Sequence, residues 1–424
     1  MMRINKALRK DPKNPTFPVS FRQSFSQWWR GASAQNAKLT ELEVLKQVDF
    51  LRDNDKDQER LAEVIETPIG PKKDTIHEVS ITSKTINDTK KKEIVFLHGY
   101  GAGLALFFRN MDGLTKNNTQ NWNFHFVDWL GMGCSARPPF RVKGKNAAER
   151  LEQTEGFFVD SLEEWRKAKS IESMVLVGHS MGGYLSAVYA MRYPSRVEKL
   201  LLVSPVAVPE NPYACDDDAE IRTEQSKAVE TLNVLTSETQ TSNVMAEFTQ
   251  SQDQATTQEG TSTSAPAKPN NPVPKAIALL WNWNITPFAI LRSIGPIGPK
   301  LVSTWTNIRF STLPKDTFMA LHNYCYAIFS LKGSSEYALS HLLAPGAFAR
   351  RSLINRIGHV QCKTVFMYGD RDWMDESAGY AAAKRLMEHG VLAEHHIIKN
   401  AGHHCYLDNP EAFNELVLRE MNFE

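Results

Sequence analysis

Several things are scarce in this 424-residue chain, and each scarcity excludes a class of protein. Cysteine is rare and scattered: the five residues Cys134, Cys215, Cys325, Cys362 and Cys405 include no Cys-x-x-Cys pair. That argues against a zinc site and against a disulfide framework, and fits a reducing compartment. Neither sign of charge dominates, with 49 Lys and Arg against 48 Asp and Glu, so nothing points to nucleic acid as a partner. No run of eighteen apolar residues occurs, so no membrane span is expected, and there is no secretory apolar core near the start. What remains is ordinary globular composition, 42% hydrophobic and 23% charged, with length enough for one large or two ordinary domains.

The first forty residues are the local exception. Arg3, Lys6, Arg9, Lys10, Lys13, Arg22, Arg30 and Lys38 face a single acid, Asp11, and Phe21, Phe25, Trp28 and Trp29 lie among serines. Residues 1–40 therefore read as a basic leader: a mitochondrial transit peptide, a segment lying on an anionic membrane surface, or an untargeted tail. A helix is expected over residues 40–55. After it, short apolar runs at 93–97, 124–128, 174–177, 200–203, 364–368 and 396–398 alternate with helical patterns at 149–168, 183–192, 374–389 and 410–421. Apolar strands alternating with helices predict an α/β fold with a mostly parallel, doubly wound sheet. The rhythm breaks over 205–361, which reads as a cap inserted into a core of 41–204 and 362–424. Within the cap, residues 235–274 are rich in Thr, Gln, Ser and Pro and carry too little apolar surface to offset ordering, so disorder is expected there. From Pro274 the composition turns aromatic and apolar, with Trp281, Trp283, Phe288 and Trp305, as in a helical cap with some surface left to face lipid.

Ligands on such sheets bind beyond the carboxyl ends of the strands. At one of these ends stands Gly178-His179-Ser180-Met181-Gly182, between an apolar strand and a helix. That context makes Gly-x-Ser-x-Gly a nucleophile elbow, a turn so tight that only small residues fit two places either side of the serine. A serine hydroxyl needs a base, and the base an acid to orient it, following in the order serine, acid, histidine. After the strand at 364–368 come Asp370, Asp372 and Asp375; after the strand at 396–398 come His403 and His404. Asp372, three residues past Gly369, is favoured as the acid, with Asp375 as its rival or else a helix cap. His403 is favoured over His404 because it directly follows the small Gly402. The oxyanion hole is assigned to the backbone N–H groups of Met181 and of Tyr100, the latter in the turn His98-Gly99-Tyr100-Gly101. The glycines at 99, 101 and 103 lack a Gly-Lys-Ser/Thr ending and a suitably spaced ribose-binding acid, so no nucleotide cofactor is expected. Asp128 to Ser135 is expected to shape the loop beside that hole.

Together, His98-Gly99-Tyr100-Gly101, the serine motif, Gly369-Asp370-Arg371-Asp372 and Ala401-Gly402-His403 resemble the α/β-hydrolase superfamily. The segments Phe126 to Gly133 and Ile294-Gly295-Pro296-Ile297-Gly298-Pro299 narrow the likeness to its lipid-metabolising subfamily, which includes N-acyl phospholipid lysophospholipases, a fungal cardiolipin-specific deacylase and a lipase cofactor. The resemblance implies a serine acyl-hydrolase of phospholipids, without metal or other cofactor, peripheral to an anionic membrane such as the mitochondrial inner membrane. It also brings a His-x4-Asp pattern, here His403 to Asp408, shared with glycerolipid acyltransferases. Asp408 therefore reads either as part of a lysophosphatidate acyltransferase or as a capping side chain before Pro410. Relatives that lost the serine act as lipase activators, whereas this chain retains Ser180. Head group, acyl chain and oligomeric state stay open.

Overall fold

The computed structural model describes residues 19–52, 57–84, 91–116, 121–210, 281, 283–310, 313–344 and 348–422. Cys215, the basic residues before position 19 and the insert at 235–274 lie outside them. The chain divides into two compact units, one of Leu45–Thr286 and Gly333–Glu424, the other of Met1–Val44 and Pro287–Lys332.

The larger unit is built on one eight-stranded sheet: β1 (Arg60–Ile69), β2 (Asp74–Ser83), β3 (Lys92–Leu97), β4 (Trp122–Val127), β5 (Met174–His179), β6 (Val197–Val203), β7 (Lys363–Gly369) and β8 (Ala393–Ile398). Their spatial order is β1-β2-β4-β3-β5-β6-β7-β8. The first two strands form an antiparallel hairpin, β2 also runs antiparallel to β4, and every pairing from β4 to β8 is parallel. Successive side chains of a strand face opposite sides. Val95, Leu97, Leu176, Leu200, Leu202, Phe366 and Tyr368 join one core with the helices Ala147–Ala168, Met181–Arg192 and Glu376–Glu388. The alternate residues, such as Phe96 and Phe126, are equally buried, and Phe107 packs between Phe96 and Tyr406, with ring centroids 5.7 and 4.6 Å away. Burial on both faces is why these strands read as continuous apolar runs rather than alternating ones.

The hairpin was not expected. Residues of β1 are mostly half-exposed or exposed, and its Glu63 and Glu66 break the apolar pattern, as suits an edge strand. The expected helix over 40–55 is instead two helices, Ala34–Leu45 and Asp49–Arg52.

The smaller unit changes the reading of the N-terminal segment. From Phe21 it is helical: Phe21–Trp29 starts at a capping box in which Ser20 and Gln23 satisfy each other's backbone N–H. This helix packs on its partners in the same unit through Ser24, whose Oγ donates to Pro296 O at 2.5 Å and accepts from Lys300 N at 3.0 Å. His322 Nε2 lies 3.2 Å from Gln27 Oε1. The division thus differs from the expected one at 40, 205 and 361. The aromatic stripe is split, because Trp281 and Thr286 belong to the larger unit: Trp281 Nε1 donates to Leu343 O at 3.1 Å and Thr286 Oγ1 to Glu336 at 2.7 Å. Leu353 N bonds Ala207 O at 2.7 Å, tying the chain after residue 333 to the end of β6. Among the described residues no helix is long and apolar enough to cross a membrane.

Candidate active site

Ser180 follows β5 directly and precedes the helix Met181–Arg192. Its φ of +54° is a conformation that a residue with a Cβ rarely adopts, and it lifts the hydroxyl off the strand end. Close packing explains the glycines around it. A Cβ on Gly178 would lie 2.4 Å from Ser186 Oγ, and one on Gly182 would lie 2.5 Å from His98 O. Met181 occupies the first turn of the helix, where N–H groups have no partner within the helix and the dipole favours negative charge. Tyr100 belongs to the segment that passes beside the serine: a Cβ on its neighbour Gly99 would fall 2.9 Å from Ser180 Cβ.

That segment is held by buried polar groups. Asp128, at the end of β4, accepts Leu104 N at 2.7 Å through one oxygen and Cys134 N at 2.6 Å through the other. The turn from Asp128 to Ser135 therefore does shape the neighbouring loop. His98 lies 2.8 Å from Gly99 O through Nδ1, while Trp129 N donates to its Nε2 at 3.3 Å. Burial pushes the His98 imidazole down to about 4, so it is neutral at pH 7 with the proton on Nδ1. His322 in the smaller unit is likewise pushed down to about 4 by burial. Both unfold to ordinary histidines of about 6.5, which take up protons that the folded forms refuse. Stability is therefore full above pH 6.5 and lost as pH falls towards 4, by about 2 kcal/mol for each histidine at pH 5. Denaturant titrations at pH 7 and pH 5 are expected to show that loss; equal stabilities would contradict it.

The three candidate acids have three different occupations. Asp372 Oδ1 is 3.0 Å from His403 Nδ1 and accepts Met374 N at 3.0 Å. Burial opposes its charge, but the facing His403 and these hydrogen bonds outweigh it and hold the carboxyl below its ordinary 3.8. Asp375 caps the helix Glu376–Glu388 by accepting Ser377 N and Ala378 N at 3.0 and 3.3 Å. Asp370 holds the histidine loop, accepting Asn400 N at 2.9 Å and Ala401 N at 3.0 Å.

Asp408, the acid of the His-x4-Asp pattern, is not itself the capping side chain. It accepts Gly402 N at 2.8 Å, and the neighbouring Asn409 does the capping, accepting Ala412 N at 3.2 Å. His403 already spends its Nδ1 on Asp372, so Asp408 braces the loop rather than the imidazole. The side chain of Trp373 covers one side of His403, with ring centroids 4.9 Å apart. The ring of His404 lies 5.5 Å from that of His403, and the Asp372 carboxylate is given to His403. Among the described residues no hydrogen bond joins Ser180 Oγ to His403. Catalytic hydrogen bonds often tighten only around bound substrate.

Residues 92–410 match the family model of the alpha/beta hydrolase fold. The chain belongs to the α/β-hydrolase family. Among its curated relatives, a rice protein named as a probable 1-acylglycerol-3-phosphate O-acyltransferase is 32% identical over 76% of this chain and 66% of its own length. A human 1-acylglycerol-3-phosphate O-acyltransferase is 30% identical, over 78% of each chain. A human (lyso)-N-acylphosphatidylethanolamine lipase is 29% identical over 76% of this chain and 77% of its own. The chain spans just under two thirds of the length of the rice relative and of its Arabidopsis counterpart, at 66% and 65%. The likeness to lipid-metabolising α/β-hydrolases, drawn from the sequence motifs, agrees with these names.

Proposed function

We propose that this α/β-hydrolase cleaves acyl esters of glycerophospholipids through an acyl-enzyme on Ser180. The observation that carries the reading is the strained Ser180, set at a strand-to-helix elbow beside a buried Asp372–His403 pair. In this reading Ser180 Oγ attacks the ester carbonyl, and His403 Nε2 takes its proton and returns it to the leaving alcohol. Asp372 holds Nδ1–H and stabilises the imidazolium. The N–H groups of Tyr100 and Met181 receive the oxyanion. Water, deprotonated by His403, then releases the fatty acid and frees Ser180.

Phospholipid is favoured as the substrate by the relatives' names and by the helix Phe21–Trp29, on which Phe21, Phe25, Trp28 and Trp29 are all exposed, Trp29 by 74%. Such rings settle at membrane interfaces, and Arg22 and Arg30 suit an anionic one. Cardiolipin of the mitochondrial inner membrane is the proposed member of the class, on the strength of the basic first forty residues and the likeness to a cardiolipin-specific deacylase.

A second reading, acyl transfer from acyl-CoA to lysophosphatidate, is favoured by the acyltransferase names of the rice and human relatives. It uses the same acyl-enzyme with a lipid hydroxyl in place of water. Asp408, occupied with Gly402 N, supplies no separate machinery for it. Hydrolysis is therefore preferred. The test is to incubate the protein with a phospholipid mixture containing cardiolipin, together with labelled acyl-CoA and lysophosphatidate, and to identify products by mass spectrometry. Free fatty acid with lysolipid is the expected result. Label in phosphatidate without free acid would establish transfer instead, and no lipid turnover at all would favour a non-catalytic, lipid-bound role.

A further inference from the structure

We propose that His179 is a positioning residue that ties the loop carrying His403 to the elbow carrying Ser180, an inference that rests on the serine-hydrolase reading above. His179 is the last residue of β5 and is buried. Its Nε2 lies 2.9 Å from the carbonyl oxygen of His403. A carbonyl only accepts, so Nε2 carries the proton and donates it. The ring is packed, tilted or edge-on, among three others: its centroid is 4.8 Å from that of His403, 4.9 Å from that of His404 and 4.9 Å from that of Tyr406.

The other side of the ring meets the oxyanion segment. A Cβ on Gly99 would come within 3.0 Å of His179 Nδ1. One imidazole is thus wedged among three chain segments whose relative placement decides catalysis: its own elbow, the Gly99–Tyr100 turn and the His403 loop.

The remaining bonds of that loop lead away from the elbow. Asn400 N and Ala401 N go to Asp370, Gly402 N goes to Asp408, and Arg371 N bonds Ala401 O at 2.9 Å. Asp372 meets the loop through the His403 imidazole, and its other bond named above goes to Met374 N. These contacts fix the loop to the end of β7 and to the segment that follows, and leave its distance from Ser180 to be set indirectly through the sheet. Among the described hydrogen bonds of residues 400–403, the one from His179 reaches the elbow directly. A misplacement of about 1 Å between nucleophile and base costs about a hundredfold in rate.

The test compares wild type with His179→Phe, which keeps a ring without a donor, and with His179→Gln, whose amide nitrogen reaches about as far as Nε2. Two readouts are used: the second-order rate of Ser180 labelling by a fluorophosphonate, and kcat and KM for p-nitrophenyl butyrate. Thermal unfolding is followed alongside, and if His179→Phe does not fold, His179→Asn, whose amide is too short to reach, takes its place. The expected result is a labelling rate and kcat lowered roughly 10- to 100-fold in His179→Phe with KM unchanged, and recovered to within about threefold in His179→Gln. A purely packing role would lower the unfolding temperature and leave the rate per folded molecule alone; that result would overturn the proposal. So would a glutamine variant as slow as the phenylalanine one. If wild type is neither labelled nor active, the serine reading itself fails and takes this inference with it, whereas a reactive wild type with an equally reactive His179→Phe overturns this inference alone.

Discussion

Ser180→Ala is expected to lower phospholipid ester turnover about 10⁶-fold while the protein still binds lipid vesicles. The magnitude follows from the site acting as a unit: without the hydroxyl no acyl-enzyme forms, and only oxyanion stabilisation and substrate binding remain. The change is structurally mild. Ser180 holds its neighbours through its backbone, its N–H bonding Val203 O at 2.8 Å and its carbonyl accepting Tyr184 N at 3.1 Å, and alanine keeps both. Alanine also needs the same φ of +54°, so the elbow's strain is unaltered. Turnover measured with a fluorogenic phospholipid, alongside vesicle flotation, checks both halves. A variant that retains more than a few per cent of turnover would place the chemistry elsewhere.

Asp372→Asn is expected to lower kcat about 10⁴-fold with little change in KM. The carboxylate accepts the Nδ1 proton of His403 across 3.0 Å, which leaves Nε2 free to act as base. An amide that presents its NH₂ group there fixes the opposite tautomer, with Nδ1 as acceptor and Nε2 already protonated. The carboxyl is charged well into acid, since His403 and its hydrogen bonds hold it below 3.8 against the effect of burial. Asp372 is therefore already a carboxylate at neutral pH, ready to hold the Nδ1 proton. Asp375→Asn is the informative control: asparagine caps a helix as well as aspartate does, and turnover should stay near wild type. If instead Asp375→Asn is the damaging change, the acid has been assigned to the wrong residue.

The parallel strands and the elbow were legible in the sequence for a physical reason. Strands buried on both faces must be continuously apolar, and an elbow that packs against Ser186 and His98 O must have glycine at 178 and 182. The edge hairpin escaped notice because half-exposed strands such as β1 carry charges that blur the alternation. The helix Phe21–Trp29 was hidden by its basic setting, which composition alone cannot tell from a targeting peptide. Roles of single polar residues were the least legible. The offset from Gly369 favoured Asp372 and left Asp375 as rival or helix cap, but nothing in the spacing said that Asp370 holds the histidine loop; that depends on where the end of β7 lies relative to the loop after β8. His179 carried no signal at all, since it occupies the unspecified position of its motif and works through a carbonyl 224 residues away.

The central claim is that a phospholipid acyl group passes through Ser180. It is tested most directly by quenching the enzyme in acid during turnover of cardiolipin and mapping its peptides by mass spectrometry. The expected result is the mass of a fatty acyl ester on the peptide containing Ser180, absent from Ser180→Ala. Fatty acid released at an undiminished rate by Ser180→Ala, with no adduct on the wild-type peptide, would contradict it.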